Sequence, residues 1–191
     1  MYRRSFSLLS SEDSLLFVVD LQERLLPIID KGEVVLFNVR RLLELARLLG
    51  VPVIVSEQNP QGLGVTVGEV SLLIPESAPI IAKKSFSVCA VSEVRRELAK
   101  HSVSKIILCG VETHICILQS AFDFLVLGKE VILVIDAIGS RFPIDHATAI
   151  RRLESSGVTL ATTESIMFEW GGTSEHPQFK TISRLAREKL E

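Results

Sequence analysis

Apolar residues fall along the chain in two alternating rhythms. Short runs, apolar at every position except Thr159, lie at 15–19, 51–55, 80–82, 106–109, 131–135 and 158–161. Between them are stretches with apolar residues three and four apart. Residues 34–49 put Leu36, Val39, Leu42, Leu43, Ala46 and Leu49 on one face before Gly50 stops the pattern. Residues 91–100, 115–127 (stopped by Gly128) and 144–153 read the same way. Runs apolar on both faces are buried parallel strands rather than half-exposed antiparallel ones. Their alternation with helices marks repeated βαβ units. The pattern predicts one doubly wound α/β domain over residues 1–191, built on an open, mostly parallel sheet of about six strands. The longest stretch with neither rhythm, 57–77, holds Pro60, Gly62, Gly64, Gly68 and Pro75. Long loops in compact domains are often functional.

Composition narrows the classes. A length of 191 residues suits one domain, and 47% hydrophobic residues is too many for a disordered chain. With 21 basic against 23 acidic residues the net charge is −2, without the basic excess of a nucleic-acid binder. No stretch approaches the roughly 18 apolar residues of a membrane span. Neither nucleic acid nor membrane is expected as a partner. Cys89, Cys109 and Cys116 are too few for a disulfide framework or a four-cysteine zinc site. They point to a reducing compartment, the cytoplasm. The start, 1–11, has Arg3, Arg4 and serines, no acid, and only short apolar pairs such as Leu8–Leu9. It reads as a frayed terminus (residues 1–12), with a mitochondrial leader as the alternative.

Open parallel sheets bind ligands beyond the carboxyl ends of their strands. There the sequence sets Asp20 and Gln22, then Ser56-Glu57-Gln58-Asn59, then Lys83 and Lys84, then Gly110 with Cys116 opening the next helix, then Asp136. An acid, an amine and a thiol from three strands share one rim. A helix start and a neighbouring ammonium both favour a thiolate, so Cys116 and Lys83 suit a nucleophile and its support. Asp20 could take the thiol proton and return it to a leaving group or activate water. The turn 110–116 could offer the backbone N–H groups of Glu112 and Cys116 to an oxyanion. Singly, each residue has a plainer reading: a turn-capping Asp, a solvated Lys, a small apolar Cys. The histidines, His101, His114, His146 and His176, have no metal-ligand spacing. A dyad of Cys116 with His146 is conceivable but nothing in the sequence links them. Gly62-x-Gly64 followed by Gly68 is not a dinucleotide fingerprint, and no phosphate-binding loop is present.

These residues resemble the isochorismatase-like cysteine hydrolases. The resemblance is carried by Phe17-Val18-Val19-Asp20-Leu21-Gln22, Lys83-Lys84-Ser85-Phe86-Ser87, Gly110-Val111-Glu112-Thr113-His114-Ile115-Cys116, and Val134-Ile135-Asp136-Ala137 with Ser140-Arg141. It runs from about Ser14 to Phe179. It implies a three-layer α/β/α sandwich, a catalytic triad of Asp20, Lys83 and Cys116, and a cis peptide between Val111 and Glu112 that aims the oxyanion-hole amides. Within the family the chain is most similar to small, metal-free isochorismatase domain-containing proteins. They share the loop Ser56-Glu57-Gln58-Asn59-Pro60-Gln61-Gly62-Leu63-Gly64 and a tail like Glu175-His176-Pro177-Gln178-Phe179-Lys180. Nicotinamidases of the superfamily carry an Asp-x-His pair and a further His after strand two to bind a divalent metal. Glu57-Gln58-Asn59 stands there instead, so no metal and no cofactor is expected.

The leading expectation is a metal-independent hydrolase of a small molecule, an amide above all, working through a thioester on Cys116. Gln22, Phe86 and Ile115 are candidate pocket walls, and the covering loop adds Gln58, Asn59 and Leu63. The alternatives are a catalytically silent binding or scaffold protein on the same fold, or isochorismatase-type ether hydrolysis. Residues 165–170 and the stripe Phe179, Ile182, Leu185, Ala186 are expected either to pack on the chain's own sheet or to form a homo-oligomer interface.

Overall fold

A computed structural model gives the arrangement of residues 4–190. The six apolar runs become strands β1 (Ser14–Val19), β2 (Val53–Gln58), β3 (Ile80–Lys83), β4 (Lys105–Val111), β5 (Glu130–Gly139) and β6 (Thr159–Ala161). They form one sheet in the order β3-β2-β1-β4-β5-β6, with every pairing parallel. The helices are α1 (Gly32–Leu49), α2 (Pro60–Leu63), α3 (Gly68–Ser71), α4 (Ser92–Ala99), α5 (Leu118–Val126), α6 (Pro143–Ser155), α7 (Thr163–Gly171) and α8 (Phe179–Arg187). Every residue of β1 is buried, because both sheet faces are covered. Leu16 and Val18 face the core of α1, α7 and α8; Leu15, Phe17 and Val19 face that of α4, α5 and α6. This is the three-layer sandwich. Among the described residues no helix is long and apolar enough to cross a membrane.

The strand order turns around between β1 and β4, so the crossovers leave these neighbours in opposite directions and open a crevice at their carboxyl ends. Gly110 makes the close approach there. It has φ +111, and a Cβ on it would lie 2.0 Å from the carbonyl oxygen of Val19.

Several expectations need correction. The fifth strand does not stop before Asp136. Its register with β4 slips between the Leu108 and Gly110 pairings, and the bulge carries the strand on to Gly139. Asp136 sits on that bulge, and its Oδ1 accepts from Thr163 N (2.8 Å) and Oγ1 (3.0 Å), fixing the start of α7. The helix expected from residue 115 starts as a wider turn: Thr113–Ile117 is π-helical, with Ile117 N–H donating to Glu112 O, before α5 proper. The amino-terminal segment is not frayed from residue 4 onward. Arg4 donates to Glu169 O (2.6 Å), Leu9 N–H to Glu169 Oε2 (2.8 Å), and Leu9 is buried; residues 1–3 lie outside the described residues. Of the two readings of the carboxyl-terminal stripe, packing within the chain is the one observed. Ile166, Met167, Trp170, Ile182 and Leu185 join the core against α1, and the buried Arg41 of α1 donates its Nε to Leu185 O.

Replacing Gly110 by Ala should lower the unfolding free energy by about 3 kcal/mol or more, because the new methyl meets backbone rather than a movable side chain. Denaturant midpoints measure this; a wild-type midpoint would show that β1 and β4 can part freely at that level.

Candidate active site

Asp20 leaves β1 in the left-handed region, φ +54, a conformation aspartate tolerates better than most residues. Its N–H donates to Ser56 O, which turns the carboxylate into the crevice. Oδ1 accepts from Ser56 Oγ at 2.7 Å and Oδ2 from Lys83 Nζ at 2.7 Å. Both side chains of the Asp20–Lys83 pair are fully buried. The same ammonium reaches Gln58 Oε1 (2.6 Å), Cys116 Sγ (3.3 Å) and, more weakly, Ser85 O (3.4 Å). Asp20, Lys83 and Cys116, drawn from three strands, are therefore in direct contact around one nitrogen.

Cys116 is 5% exposed, in the π-helical turn. Such turns recur at functional sites because the extra residue re-aims the side chains. Its thiol is not lowered towards a resting thiolate, as the helix start and Lys83 suggested. Burial, and then the negative charge of Asp20, push it up to about 12, against the opposing pull of Lys83. Among the described residues the hydrogen bond to the sulfur comes from Lys83 Nζ, and both Lys83 and Asp20 act on the thiol through their charges. The sulfur thus rests protonated beside its base. Cys109 and Cys89 are also raised by burial, and neither has a lysine among its influences. Attack on a carbonyl must be coupled to transfer of the thiol proton to Asp20.

The preceding turn is braced from the side. The peptide Val111–Glu112 is cis. The Glu112 amide donates to no backbone group among the described residues. Its carboxylate is buried and accepts from Arg141 N (2.9 Å) and Nε (3.1 Å). Thr113 Oγ1 pairs with His146 Nδ1 at 3.0 Å, and His114 Nδ1 with Ser140 Oγ at 3.0 Å. His146 is therefore tied to the turn rather than to the sulfur. Three successive side chains fasten the turn to residues 140–146.

The other candidates divide. Gln58 reaches Lys83. Gln22 is fully buried and faces main chain, not a pocket: its Nε2 donates to Gln58 O (3.0 Å) and Gly64 O (2.6 Å), and its Oε1 accepts from Gln58 N (2.7 Å). Asn59 is an exposed left-handed residue opening α2, and Leu63 is half-buried at that helix's end; neither bonds to the three central side chains. A cavity of about 280 Å³ lined by Asn59, Pro60, Gln61, Ala82, Lys83 and Lys84 lies along the β2–β3 edge; it reaches Lys83, but Cys116 does not line it. Phe86, 53% exposed, and half-buried Ile115 stand on the segments that carry Lys83 and Cys116. Ser56, the carboxylate of Glu112 and Arg141 had no assigned part in the sequence reading. Gln58 was named as a covering-loop residue, but its contact with Lys83 comes from the strand register, which pairs the two residues at the ends of β2 and β3.

The position that holds metal ligands in nicotinamidases does not fit a metal here. Glu57 Oε1 accepts from Thr66 N (2.6 Å) and Oγ1 (2.8 Å), and Gln58 Oε1 is committed to Lys83. Among the described residues no group of three or more His, Cys, Asp or Glu side chains is arranged to hold a metal ion.

The chain matches the family model described as "Isochorismatase domain" over residues 14–165. It is 37% identical to mouse isochorismatase domain-containing protein 2A over 189 residues, 98% of this chain and 89% of that protein. The solved structure titled MAR1 ribonuclease from Caenorhabditis elegans superposes with a TM-score of 0.92 at 36% identity, covering 97% of this chain and 95% of that one. The Escherichia coli YcaC gene product, titled an octameric hydrolase of unknown specificity, superposes with a TM-score of 0.89 at 22% identity, covering 97% and 93%. With the family model matched over residues 14–165 and 37% identity to a curated relative across most of both chains, the chain belongs to the isochorismatase-like hydrolase family.

Proposed function

We propose that the protein hydrolyses a small-molecule amide through a thioester on Cys116. The single observation that carries this reading is the direct contact of Lys83 Nζ with both Asp20 Oδ2 and Cys116 Sγ in a buried cluster. The sulfur attacks the carbonyl carbon as its proton passes to Asp20, and the carbonyl electrons move onto oxygen. The amides of Glu112 and Cys116 receive that oxyanion, and the uncommitted N–H of Glu112 supports this role. The C–N bond then breaks, with Asp20 delivering the proton to the departing nitrogen. Asp20 next takes a proton from water, which attacks the thioester; the C–S bond breaks and the thiol is restored. Lys83 keeps positive charge beside the carboxylate and the sulfur throughout. The alternatives are ether hydrolysis of the isochorismatase type and a silent binding role. The C. elegans relative's title adds phosphodiester cleavage. Against that stand the net charge of −2 and a nearly closed sulfur.

The expected homo-oligomer now rests on the rim rather than on the carboxyl-terminal stripe. Phe86 (53%), Phe142 (57%) and Ile144 (70%) are exposed on segments that follow β3 and β5. Sedimentation should find an assembly at micromolar concentration, and a monomer there would remove this inference.

Cys116→Ala should abolish amide turnover without changing the melting temperature, and intact-mass analysis of the wild type quenched during turnover should find an acyl adduct on Cys116. An RNA oligonucleotide should remain uncut. Turnover retained in Cys116→Ala would end the covalent reading.

Thiol alkylation at pH 8 gives a test with opposed signs. Asp20 raises the Cys116 thiol and Lys83 lowers it. Asp20→Asn should therefore speed alkylation of Cys116 by about tenfold, and Lys83→Met should slow it by about tenfold, while both lose turnover. Equal rates in the three proteins would show that neither charge reaches the sulfur.

A further inference from the structure

We propose that Gln58 is a positioning residue that orients the Lys83 ammonium with one N–H directed at Cys116. The inference rests on the cysteine-hydrolase reading above and adds a residue to it. An ammonium has three protons and no lone pair to accept with. Three close acceptors surround Lys83 Nζ: Asp20 Oδ2 at 2.7 Å, Gln58 Oε1 at 2.6 Å and Cys116 Sγ at 3.3 Å. Two protons go to oxygens, and the third is left for sulfur. Without Gln58 the second proton has only the more distant Ser85 carbonyl, at 3.4 Å, and the cation is free to roll away from the thiol.

The carboxamide can present only its oxygen. Gln58 Nε2 donates to Lys84 O at 3.0 Å; a flipped amide would set NH₂ against ammonium and oxygen against carbonyl. Its backbone is held as firmly. Gln22, fully buried, binds both the N–H and the carbonyl of Gln58 with one side chain. Gln58 and Lys83 are register partners on adjacent parallel strands, so their side chains leave the sheet side by side. A neutral oxygen is also the right acceptor. A hydrogen bond to a charged donor is strong, whereas a second carboxylate here would compete for the ammonium and add negative charge near a sulfur that Asp20 already raises.

The test is the alkylation rate of Cys116 by iodoacetamide at pH 8, resolved by peptide mass spectrometry, in the wild type, Gln58→Met, Lys83→Met and the double variant. Gln58→Met keeps the length and removes the acceptor. Acting through Lys83, it should slow alkylation by about three- to tenfold in the wild-type background and leave the rate unchanged in the Lys83→Met background. On a substrate found by amide screening it should lower kcat at little change in KM. The same slowing in both backgrounds, or none in the wild type, overturns the proposal. Should Gln58→Met fail to fold, Gln58→Glu serves: slower alkylation than wild type is expected, and a wild-type rate overturns the proposal. The underlying reading fails elsewhere, in turnover retained by Cys116→Ala, so the two failures are distinct.

Discussion

Two opposite charges, both removed from water, meet 2.7 Å apart at the carboxyl end of the sheet. Each ion loses several kcal/mol of solvation there, and the pair is viable only if the remaining donors and acceptors are satisfied. The local structure follows from that demand. β2 lies between β1 and β3, and it supplies both missing partners: Ser56 for the second oxygen of Asp20 and Gln58 for the second proton of Lys83. Among the described residues no buried side-chain polar atom is left without a partner. The carboxylate that accepts from the lysine is also the one that faces the thiol, so the pair serves stability and chemistry together.

The sulfur's resting state follows from the same burial. A cysteine in open water beside a lysine would ionise readily. Here exclusion of water and the carboxylate outweigh the lysine, and the thiol stays protonated. Such a site gives up reactivity towards passing electrophiles. It becomes nucleophilic only when a substrate carbonyl is in place and the proton can move as the bond forms. The bracing of the turn by Glu112–Arg141, Thr113–His146 and His114–Ser140 matters for the same reason: a coupled step tolerates little misplacement of its donors.

Most of the frame was legible in the sequence because a strand buried on both faces cannot avoid being apolar at every position. The four inner strands follow from that constraint; the edge strands β3 and β6 are only partly buried and were marked by shorter runs. The rim acid, amine and thiol follow from the strand ends. The failures are equally physical. Asp136 reads as a strand stop because polar residues end buried strands; the bulge that lets the strand absorb it is a tertiary event. The stripe of Ile182 and Leu185 states that something must cover it, not that α1 does. Gln22 looks like a pocket wall because it follows a strand, but its bonds to Gln58 and Gly64 depend on where a distant loop returns. A thiol's charge state depends on burial, which residue types do not record.

The strand order also has a history during synthesis. A chain emerges amino terminus first, and β1, the first strand made, is central to the finished sheet. β2 can zip onto one side early, but the other side waits for β4, whose first residue is Lys105. Until the ribosome has passed that point, the nascent polypeptide carries a strand apolar from Leu15 to Val19 with one edge open, which invites pairing with a neighbour on the same message. Cys116 is the last of the three central residues to emerge, only a few residues after the edge closes. Its shelter is completed later still, because the core that buries it includes Phe124, Ala149, Leu153 and Val158.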